Sequence, residues 1–519
     1  MDRAFIVMDN AVVRNANPQR ESPMTSISKV RGEVHRDVQR LLALVERRSP
    51  QTATEVEIAL WAGMLRVGAS MMTLFFAHQT ARWPSGLLYE VAGVAHEVDG
   101  ADVVKIGTKF GKVSVHQPMG RAVGQGRGRR DVPMSRALGL SGGFTLPLVT
   151  LVAKFCALMA FSPTRQTLRD LLGWAPAPRS VLRMVDAVGA EARGFLQQVA
   201  VPEGDTDVLL ITVDGKGAPT ISSAEHAKRS QPHRKGTGGL RQKKSGAPKK
   251  RRGPGKKSKN AKMAAVGVIC TLKLDESGSP RPVNKRMYAT FKSYRALFVW
   301  LKAEAVRRGY GTTKFKKVQF VADGADTLWA LQQEFFPDAE VCLDWVHAVE
   351  KLWSCGKAIN RGSRTKRQPL EVWVHEQKRR LRHGKLNEVL ATLHTALDGT
   401  AVTGPGNKFR RKVLDATINH FTKNRARMRY QRLRQQGLVI SSGLIEGTVR
   451  HLVGMRLDGP GMRWGKARAE AVLHLRCVLL NGLWSAFESY LARRDSLRLA
   501  PQPVPTVTHD AKKQLKKAA

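Results

Sequence analysis

The chain has 519 residues, of which 87 are Lys or Arg and 42 are Asp or Glu, so its formal net charge is +45 at pH 7. Hydrophobic residues make up 42% of the sequence, which is enough to fill several globular cores and excludes a wholly disordered basic protein. Because every phosphate neutralised by Lys or Arg releases a counterion, this charge indicates a nucleic-acid partner, with an anionic membrane surface as the alternative.

The cysteines and the apolar stretches exclude further classes of protein. The five cysteines are far apart and form no Cys-x-x-Cys pair, which argues against a disulfide framework and a thiolate zinc site. The longest apolar stretches, Leu60–His78 and Leu146–Phe161, are interrupted by Arg66 and Lys154, and the N-terminus leads into no signal-peptide core. These features predict a soluble, cytoplasmic protein that does not bind membranes.

Three modules are predicted in the first part of the chain. Apolar residues at helical spacing predict a helical module over residues 1–85, and β-branched runs separated by Gly predict a small β-rich module over 86–144. Residues 145–200 have the form of helices with a glycine-containing turn, either a DNA-binding helix-turn-helix or an ordinary helical hairpin. In the first case Arg179 and Arg183 are the predicted DNA contacts.

The segment Lys228–Lys262 holds 15 Lys and Arg residues and no acidic residue. It cannot bury enough apolar surface to order itself, so we predict a disordered basic loop. This loop is either a phosphate-binding arm or a solvated insertion. If it is an arm, its densest cationic cluster provides the predicted DNA contacts, namely Lys249, Lys250, Arg251 and Arg252.

The segments around this loop predict an α/β domain. Between residues 205 and 360 we expect three sequential strands, then a helix, a strand, a helix, a strand and a helix, which is the order of the ribonuclease H-like fold. Residues 361–437 are basic and helical, and they predict an all-helical insertion. Residues 438–490 supply two further helices as the last part of the catalytic domain, and 491–519 form a basic tail.

Two carboxylates follow apolar strands and each precedes a glycine. Asp214 comes directly after the predicted strand Asp207–Val213, and Asp323 directly after Lys317–Ala322, so both are expected at one edge of the sheet. Two hard oxygen donors this close would repel each other without a cation, which predicts Mg²⁺ or Mn²⁺ and the site of a two-metal nuclease. The structural alternative is an ordinary Asp-Gly turn.

A third carboxylate is expected from a helix that packs on the sheet. In Ser441–Arg450 the serines can cap a helix and place Glu446 in its first turns. Small and apolar neighbours make the charge of Glu446 costly to bury without a metal or a cationic partner. Asp458, in a glycine-rich loop, and Glu470, expected to form a surface pair, are the competing candidates.

Taken in order, five motifs resemble the DDE transposases of bacterial insertion sequences, most closely the Kra-type group. The motifs are Asp214-Gly215, Val321-Ala322-Asp323-Gly324-Ala325, Leu343-Asp344-Trp345-Val346-His347-Ala348-Val349-Glu350-Lys351-Leu352-Trp353, Ser442-Gly443-Leu444-Ile445-Glu446 and Gly461-Met462-Arg463-Trp464. The resemblance covers roughly residues 145 to 484. It implies a ribonuclease H-like catalytic domain in which Asp214, Asp323 and Glu446 bind two Mg²⁺ ions, with Mn²⁺ as a substitute.

The resemblance also implies roles for residues outside the triad. His347 is then close to the scissile phosphate, where it donates to an oxygen or assists a proton transfer, although a His at this place in a helix is commonly structural. Asp344 is expected to orient His347 or the start of the helix. Arg463 is a predicted phosphate contact, and Trp464 either stacks on an unpaired base or anchors the core. One departure is that residues 1–155 lack the cysteines that family members often carry, so a zinc module is not expected.

These observations predict a bacterial, nucleoid-associated DNA transposase that binds terminal inverted repeats, hydrolyses a phosphodiester and transfers the freed 3′-hydroxyl to target DNA. Synapsis of two ends implies a homo-oligomer. Three alternatives remain open: a nuclease or resolvase of the same fold without strand transfer, a domesticated or inactive transposase that only binds DNA, and a guide-RNA-dependent nuclease.

Overall fold

The computed structural model of the chain describes residues 23–47, 51–91, 93–124, 130–222, 224–225, 227, 261–360, 369–441, 443–459 and 462–499. The described residues form two compact units. The first draws on Met1–Val149, Arg165–Ala177 and Ala492–Ala519, and the second on Thr150–Thr164 and Pro178–Leu491. The predicted basic loop therefore lies outside the described residues, except that Ala261 and Lys262 begin a strand.

The first unit contains a helical hairpin and a small antiparallel sheet, as predicted. Helices α1 (Pro23–Val45) and α2 (Ala53–Thr80) pack along each other. Strands β1 (Leu88–Val91), β2 (Val94–Thr108) and β3 (Gly111–Ala122) follow in that spatial order. The core of this unit forms where α2 packs on β3 and consists of Phe76, Ile106, Val113, Val115 and Met134.

Among the described residues, α2 alone has the length and apolar composition of a membrane-spanning helix. One helix of this kind is a weak indication, so this finding is compatible with the predicted soluble protein. The cytoplasmic and nucleoid locations stay predictions.

Four helices connect the small sheet to the second one. They are α3 (Pro133–Ala137), α4 (Leu146–Leu158), α5 (Phe161–Leu172) and α6 (Pro178–Gln198). The predicted turn between α5 and α6 begins at Gly173, whose φ of +72° is a left-handed conformation that favours glycine. The helical secondary structure predicted for this region is thus correct, and DNA recognition by it stays a prediction.

The second unit is built on a five-stranded mixed sheet. Its strands are β4 (Val208–Pro219), β5 (Ala261–Leu274), β6 (Pro280–Thr290), β7 (Lys317–Ala322) and β8 (Glu340–Leu343). The spatial order is β6-β5-β4-β7-β8, in which β5 is antiparallel to both of its neighbours and β7 is parallel to both of its own. Helices α7 (Tyr294–Arg308), α8 (Asp326–Phe335) and α9 (Trp345–Asn360) follow β6, β7 and β8. The α/β class predicted from the sequence is confirmed.

Strand β4 is longer than predicted. The sequence placed its end at Val213, but the strand continues through Asp214 to Pro219. The parallel pairing with β7 does end at Val213, whereas the antiparallel ladder with β5 continues on the other side of β4. Backbone hydrogen bonds to β5 therefore keep this segment extended beyond the last apolar residue.

The rest of the second unit is helical. The region predicted as a helical insertion contains α10 (Leu370–Arg382), α11 (Leu386–Asp398), α12 (Asn407–Lys423) and α13 (Tyr430–Gln435). Next comes α14 (Gly443–Val449), which continues through a π-helical turn (Arg450–Gly454) into the short helical segment Met455–Leu457. Helices α15 (Lys466–Leu480) and α16 (Trp484–Leu499) are the last described elements. Buried Trp484, Phe487 and Leu491 lie on one face of α16, so this helix runs through the predicted boundary at residue 490.

The expected surface pair of Glu470 is not what the structure contains. Glu470 lies on α15, which packs on β6, and its side chain is only 17% exposed. The amide of Phe291 donates to it at 2.6 Å, the hydroxyl of Thr290 also donates, and His474 Nε2 lies 3.3 Å away. The expectation was wrong because α15 is buried along most of its length.

We expect Glu470 to make the stability of the protein depend on pH. Burial by itself would raise the pKa of Glu470, but hydrogen bonds with His474, Thr290 and Phe291 outweigh it and hold the pKa below 4.5. The stabilisation is therefore complete above pH 4.5 and is lost as pH falls through the lowered pKa. Glu470→Gln should reduce the free energy of unfolding by about 1–3 kcal/mol at pH 7. Urea denaturation at pH 7 and at pH 3.5 should show this difference shrinking in acid, and a constant difference would contradict the assignment.

Two glycines on α6 provide a matched pair of substitutions. A Cβ on Gly189 would lie 2.5 Å from the Cβ and 2.9 Å from the Cα of Ala471 on α15, whereas a Cβ on Gly194 would meet only the Tyr490 hydroxyl at 3.9 Å. We expect Gly189→Ala to destabilise the protein by about 1–3 kcal/mol through overpacking. Gly194→Ala should stabilise it by about 0.5–1 kcal/mol, because Ala is the better helix former. Denaturant unfolding of both variants tests this, and equal effects would disprove the close crossing at Gly189.

Candidate metal and phosphoryl-transfer site

Three aspartates lie side by side at the point where the parallel pairing of β4, β7 and β8 ends. Val213 is paired with Ala322 in β7, and Ala322 is paired with Leu343 in β8. The next residue along each strand is an aspartate, namely Asp214, Asp323 and Asp344. Because neighbouring strands are about 4.8 Å apart, this register places the three carboxylates in a row. Asp214 and Asp323 thus lie side by side as predicted, but Asp214 lies within β4 and not at its carboxyl end.

Asp214 is the aspartate of the row that lies on β4, the central strand of the sheet. It is half-buried in β4, and the amide of Gly215 donates to its Oδ1 at 2.6 Å. Burial is the main reason that the pKa of Asp214 is raised, and the charges of Asp323 and Asp344 raise it further, while Gly215 and His347 oppose the shift. Negative charge is therefore crowded at this edge.

Asp344 holds His347 in place. His347 Nδ1 lies 2.7 Å from Asp344 Oδ2, and the backbone amides of Val346 and His347 donate to the two oxygens of Asp344 at 3.3 and 3.4 Å. Asp344 is fully buried, so it both caps α9 and orients the imidazole, as predicted. The hydrogen bond to Asp344 raises the pKa of His347 to about 9, against the effect of burial. His347 is thus cationic at neutral pH.

Glu446 reaches the same place from α14, which packs on β4 and β5. Ligand atoms of Glu446, Asp344 and His347 lie within 4.8 Å of one another. Burial, followed by the charge of Asp344, raises the pKa of Glu446. This compact group differs from the predicted triad, since Asp214 and Asp323 are not part of it. The predicted capping residue Ser442 lies outside the described residues.

The donor set fits a hard divalent cation. Four carboxylates converge here, those of Asp214, Asp323, Asp344 and Glu446. The charge of His347 opposes the raised pKa values of Asp214 and Glu446, and the neighbouring aspartates in turn raise the pKa of His347. Carboxylate oxygens are the ligands that Mg²⁺ and Mn²⁺ prefer, and a cation would offset the burial and the neighbouring charges that raise the pKa of Asp214 and Glu446. Among the described residues, Asp344, His347 and Glu446 have ligand atoms close enough to share one ion, and Asp214 and Asp323 offer further carboxylate oxygens beside them.

The sequence reasoning missed Tyr294, the first residue of α7. A Cβ on Gly215 would lie 2.2 Å from the Tyr294 hydroxyl, so the phenol lies directly against β4 beside Asp214. Burial, together with the charges of Asp214 and Asp323, raises the pKa of Tyr294 to about 12. Tyr294 therefore keeps its proton and can donate a hydrogen bond. The glycine after Asp214 was the available signal, because it implies close approach of another group.

The second missed residue is His420, which lies on α12. Its ring packs on Gly324, where a Cβ would lie only 2.0 Å from the His420 Cε1 atom. The His420 Nε2 atom is buried and has no hydrogen-bond partner in the part of the chain that the structure describes. Burial and then the charge of Lys351 lower the pKa of His420 to about 4, so it is neutral. No local sequence pattern relates residue 420 to residue 324.

The predicted DNA contacts fall into three groups. Arg179 and Arg183 on α6 and Arg463 after the π-helical turn are exposed, as phosphate contacts must be. The cluster Lys249–Arg252 lies outside the described residues. Trp464 is 4% exposed, its Nε1 donates to the Leu457 carbonyl, and its ring packs edge-on against Phe161. Base stacking by Trp464 was thus a wrong expectation, and the alternative of a core anchor is correct.

The two competing carboxylates lie outside the group. Asp458 is exposed and pairs with Lys216 at 3.5 Å, and Glu470 binds residues at the end of β6. The chain matches no protein-family model and no curated protein.

We expect Gly324 and His420 to be energetically coupled. Gly324→Ala should lower the free energy of unfolding by about 1–3 kcal/mol, because the new methyl group overlaps the imidazole. Adding His420→Ala removes the obstacle, so the double variant should be at least about 0.5 kcal/mol more stable than additivity predicts. Urea denaturation of the four proteins measures this.

The control pairs His420→Ala with Gly443→Ala, since a Cβ on Gly443 would meet nothing within 4 Å. That pair should be additive. Additivity in both cycles would show that His420 does not pack on Gly324.

Proposed function

We propose that the protein is a DNA transposase of the DDE type with a ribonuclease H-like catalytic domain. The observation that carries this proposal is the row of Asp214, Asp323 and Asp344 where the parallel pairing of β4, β7 and β8 ends, with Glu446 added from a helix on the sheet. Such a concentration of carboxylates at the carboxyl edge of a sheet is suited to metal-assisted phosphoryl transfer.

The topology supports the fold part of the proposal. An antiparallel meander of three strands is followed by two parallel strands on the other side of the first, giving the order β6-β5-β4-β7-β8. The chain order of strands and helices is the one expected for a ribonuclease H-like domain. The helices between β8 and α14 would then be an insertion in this domain, one that brings His420 to Gly324.

The proposed reaction has two in-line steps. In the first, water attacks a phosphodiester at the transposon end and the bond to the 3′ oxygen breaks, leaving a 3′-hydroxyl and a 5′-phosphate. In the second, this hydroxyl attacks a phosphodiester of the target and displaces its 3′ oxygen. Two Mg²⁺ ions held by Asp214, Asp323 and Glu446 would supply a more acidic nucleophile and stabilise the leaving oxygen.

The chain's own residues supply donors and orientation. Asp344 binds His347 through Nδ1, so Nε2 is the ring atom left to donate a proton or hydrogen bond to a phosphate or leaving oxygen. Tyr294 stays protonated beside Asp214 and offers a neutral donor. Asp344 acts by holding His347 and the start of α9.

The partners follow from charge and chemistry. A net charge of +45 favours binding to DNA, here the terminal inverted repeats and the target. Synapsis of two ends would require more than one copy of the chain. The motifs around Asp214, Asp323, His347 and Glu446 resemble those of Kra-type insertion-sequence transposases, which supports a bacterial, nucleoid-associated role.

We expect the carboxylate variants to lose activity and keep DNA binding. The assay is Mg²⁺-dependent cleavage and joining of a labelled duplex that carries the element's own ends. Asp214→Asn, Asp323→Asn and Glu446→Gln should abolish both steps because each removes a metal-binding charge with little change in shape. His347→Gln should slow both steps by about 10²–10⁴-fold, the usual contribution of a proton donor.

Asp458→Asn is the control, since this exposed carboxylate pairs with Lys216 outside the group. It should retain wild-type rates. Cleavage without joined product would favour a nuclease or resolvase, and binding without cleavage by the wild type would favour a DNA-binding relic. Retained activity in one triad variant would remove that residue from the proposed triad.

A further inference from the structure

A deep groove runs along the second unit at a place separate from the row of aspartates. Its walls come from α6 and the first turns of α15, its base from Phe161, Trp464 and Arg456, and its volume is about 1300 Å³. The close crossing of α6 and α15 at Gly189 and Ala471 forms part of the wall. A groove this large needs a chemical explanation.

Arg456 is the unusual group in this groove. It is 1% exposed, and its Nε donates to the Cys156 carbonyl at 2.8 Å. Its guanidinium lies over the rings of Phe161 and Trp464, at 5.2 and 4.8 Å from their centroids. Among the residues that the structure describes, no carboxylate pairs with Arg456 and nothing accepts a hydrogen bond from its Nη2.

An unpaired buried guanidinium is costly, because the charge loses hydration without gaining an anion. Burial lowers the pKa of Arg456 to about 10, so the group is still cationic at neutral pH. An anion bound in the groove would provide the missing negative charge.

The side chains at the rim of the groove also favour an anion. Arg193, Lys292, Arg463 and Lys466 line the rim and are exposed, and none of the four is in an ion pair with a described residue. Flexible cations around a buried guanidinium are typical of a surface that follows a phosphate backbone.

The acidic residues of the groove do not neutralise these cations. Asp186 is held by Arg468 through two hydrogen bonds at 3.0 and 2.7 Å. Glu470 accepts from the sheet and pairs with His474. The positive charge at the rim is therefore available to a ligand.

We propose that this groove binds the phosphate backbone of duplex DNA, with the exposed Arg193, Lys292, Arg463 and Lys466 contacting phosphates along its rim and the buried charge of Arg456 attracting them from its base. The partner rests on the proposed function, whereas the anion preference comes from Arg456 itself. Arg179, exposed one turn before Leu182 of the groove wall, would extend the same track along α6.

Strand β4 connects the groove to the carboxylates. The strand carries Asp214 and ends at Pro219, and the amide of Ile221 donates to the Trp464 carbonyl at 2.9 Å inside the groove. Asp214 and Ile221 are thus at most about 23 Å apart along an extended chain. At 3.4 Å per nucleotide step, a duplex cut at the carboxylates would place phosphates up to roughly seven nucleotides from the cut in the groove.

The test compares two variants that remove equal charge. The groove variant combines Arg193→Gln, Lys292→Gln, Arg463→Gln and Lys466→Gln. The control variant carries Gln at four exposed lysines of the same unit that are outside the groove and in no ion pair with a described residue, namely Lys273, Lys357, Lys408 and Lys412. Binding of a labelled 30-base-pair duplex is measured by fluorescence anisotropy across a salt series.

The groove variant should bind at least about tenfold more weakly at 0.1 M salt. The negative slope of log K against log salt should become shallower by about 3–4, near 0.9 for each lost phosphate contact. The control should change the slope by less than about 1. Equal losses in both variants would mean that net charge alone binds DNA, and wild-type binding by the groove variant would overturn the proposal. Tighter binding of an RNA duplex of the same length would overturn the choice of DNA.

All measurements are made in EDTA, so a failure here is separate from a failure of metal-dependent cleavage.

Discussion

The parallel register of β4, β7 and β8 is the constraint on which the site depends. It aligns the residues that follow Val213, Ala322 and Leu343, and all three are aspartates. Like charges one strand spacing apart repel, and the raised pKa of Asp214 reports that repulsion together with burial. The backbone hydrogen bonds of the sheet hold the three aspartates in this arrangement, and His347 introduces a compensating positive charge.

The elements around the sheet are shaped to approach this row closely. Gly215 and Gly324 follow two of the aspartates, and each is covered by a side chain that a Cβ would displace, Tyr294 in one case and His420 in the other. Both covering groups are uncharged at neutral pH, since burial raises the pKa of the phenol and lowers that of the imidazole. The site therefore combines one cationic donor, His347, with two neutral polar groups, and helix α12 is part of its wall.

Positive charge is distributed differently from negative charge in the second unit. The carboxylates converge at one strand edge, whereas Arg456 lies at the base of a groove along α6 and α15 and has no acidic partner among the residues that the structure describes. Strand β4 joins both places, because its continuation beyond Asp214 leads to the Trp464 backbone. A single strand thus links the group of carboxylates to the groove that contains Arg456.

The sequence by itself determined the α/β class, the order of strands and helices around residues 205–360, and the placement of Asp214 and Asp323 at one sheet edge. It could do so because apolar periodicity and strand-end aspartates are local signals. It did not determine that β4 extends to Pro219, that Glu470 and Trp464 are buried, or that Tyr294 and His420 border the carboxylates. Those facts were decided by the tertiary structure, since they depend on which distant segment pairs with a strand or packs on a glycine, and such pairings leave no periodic trace in the chain.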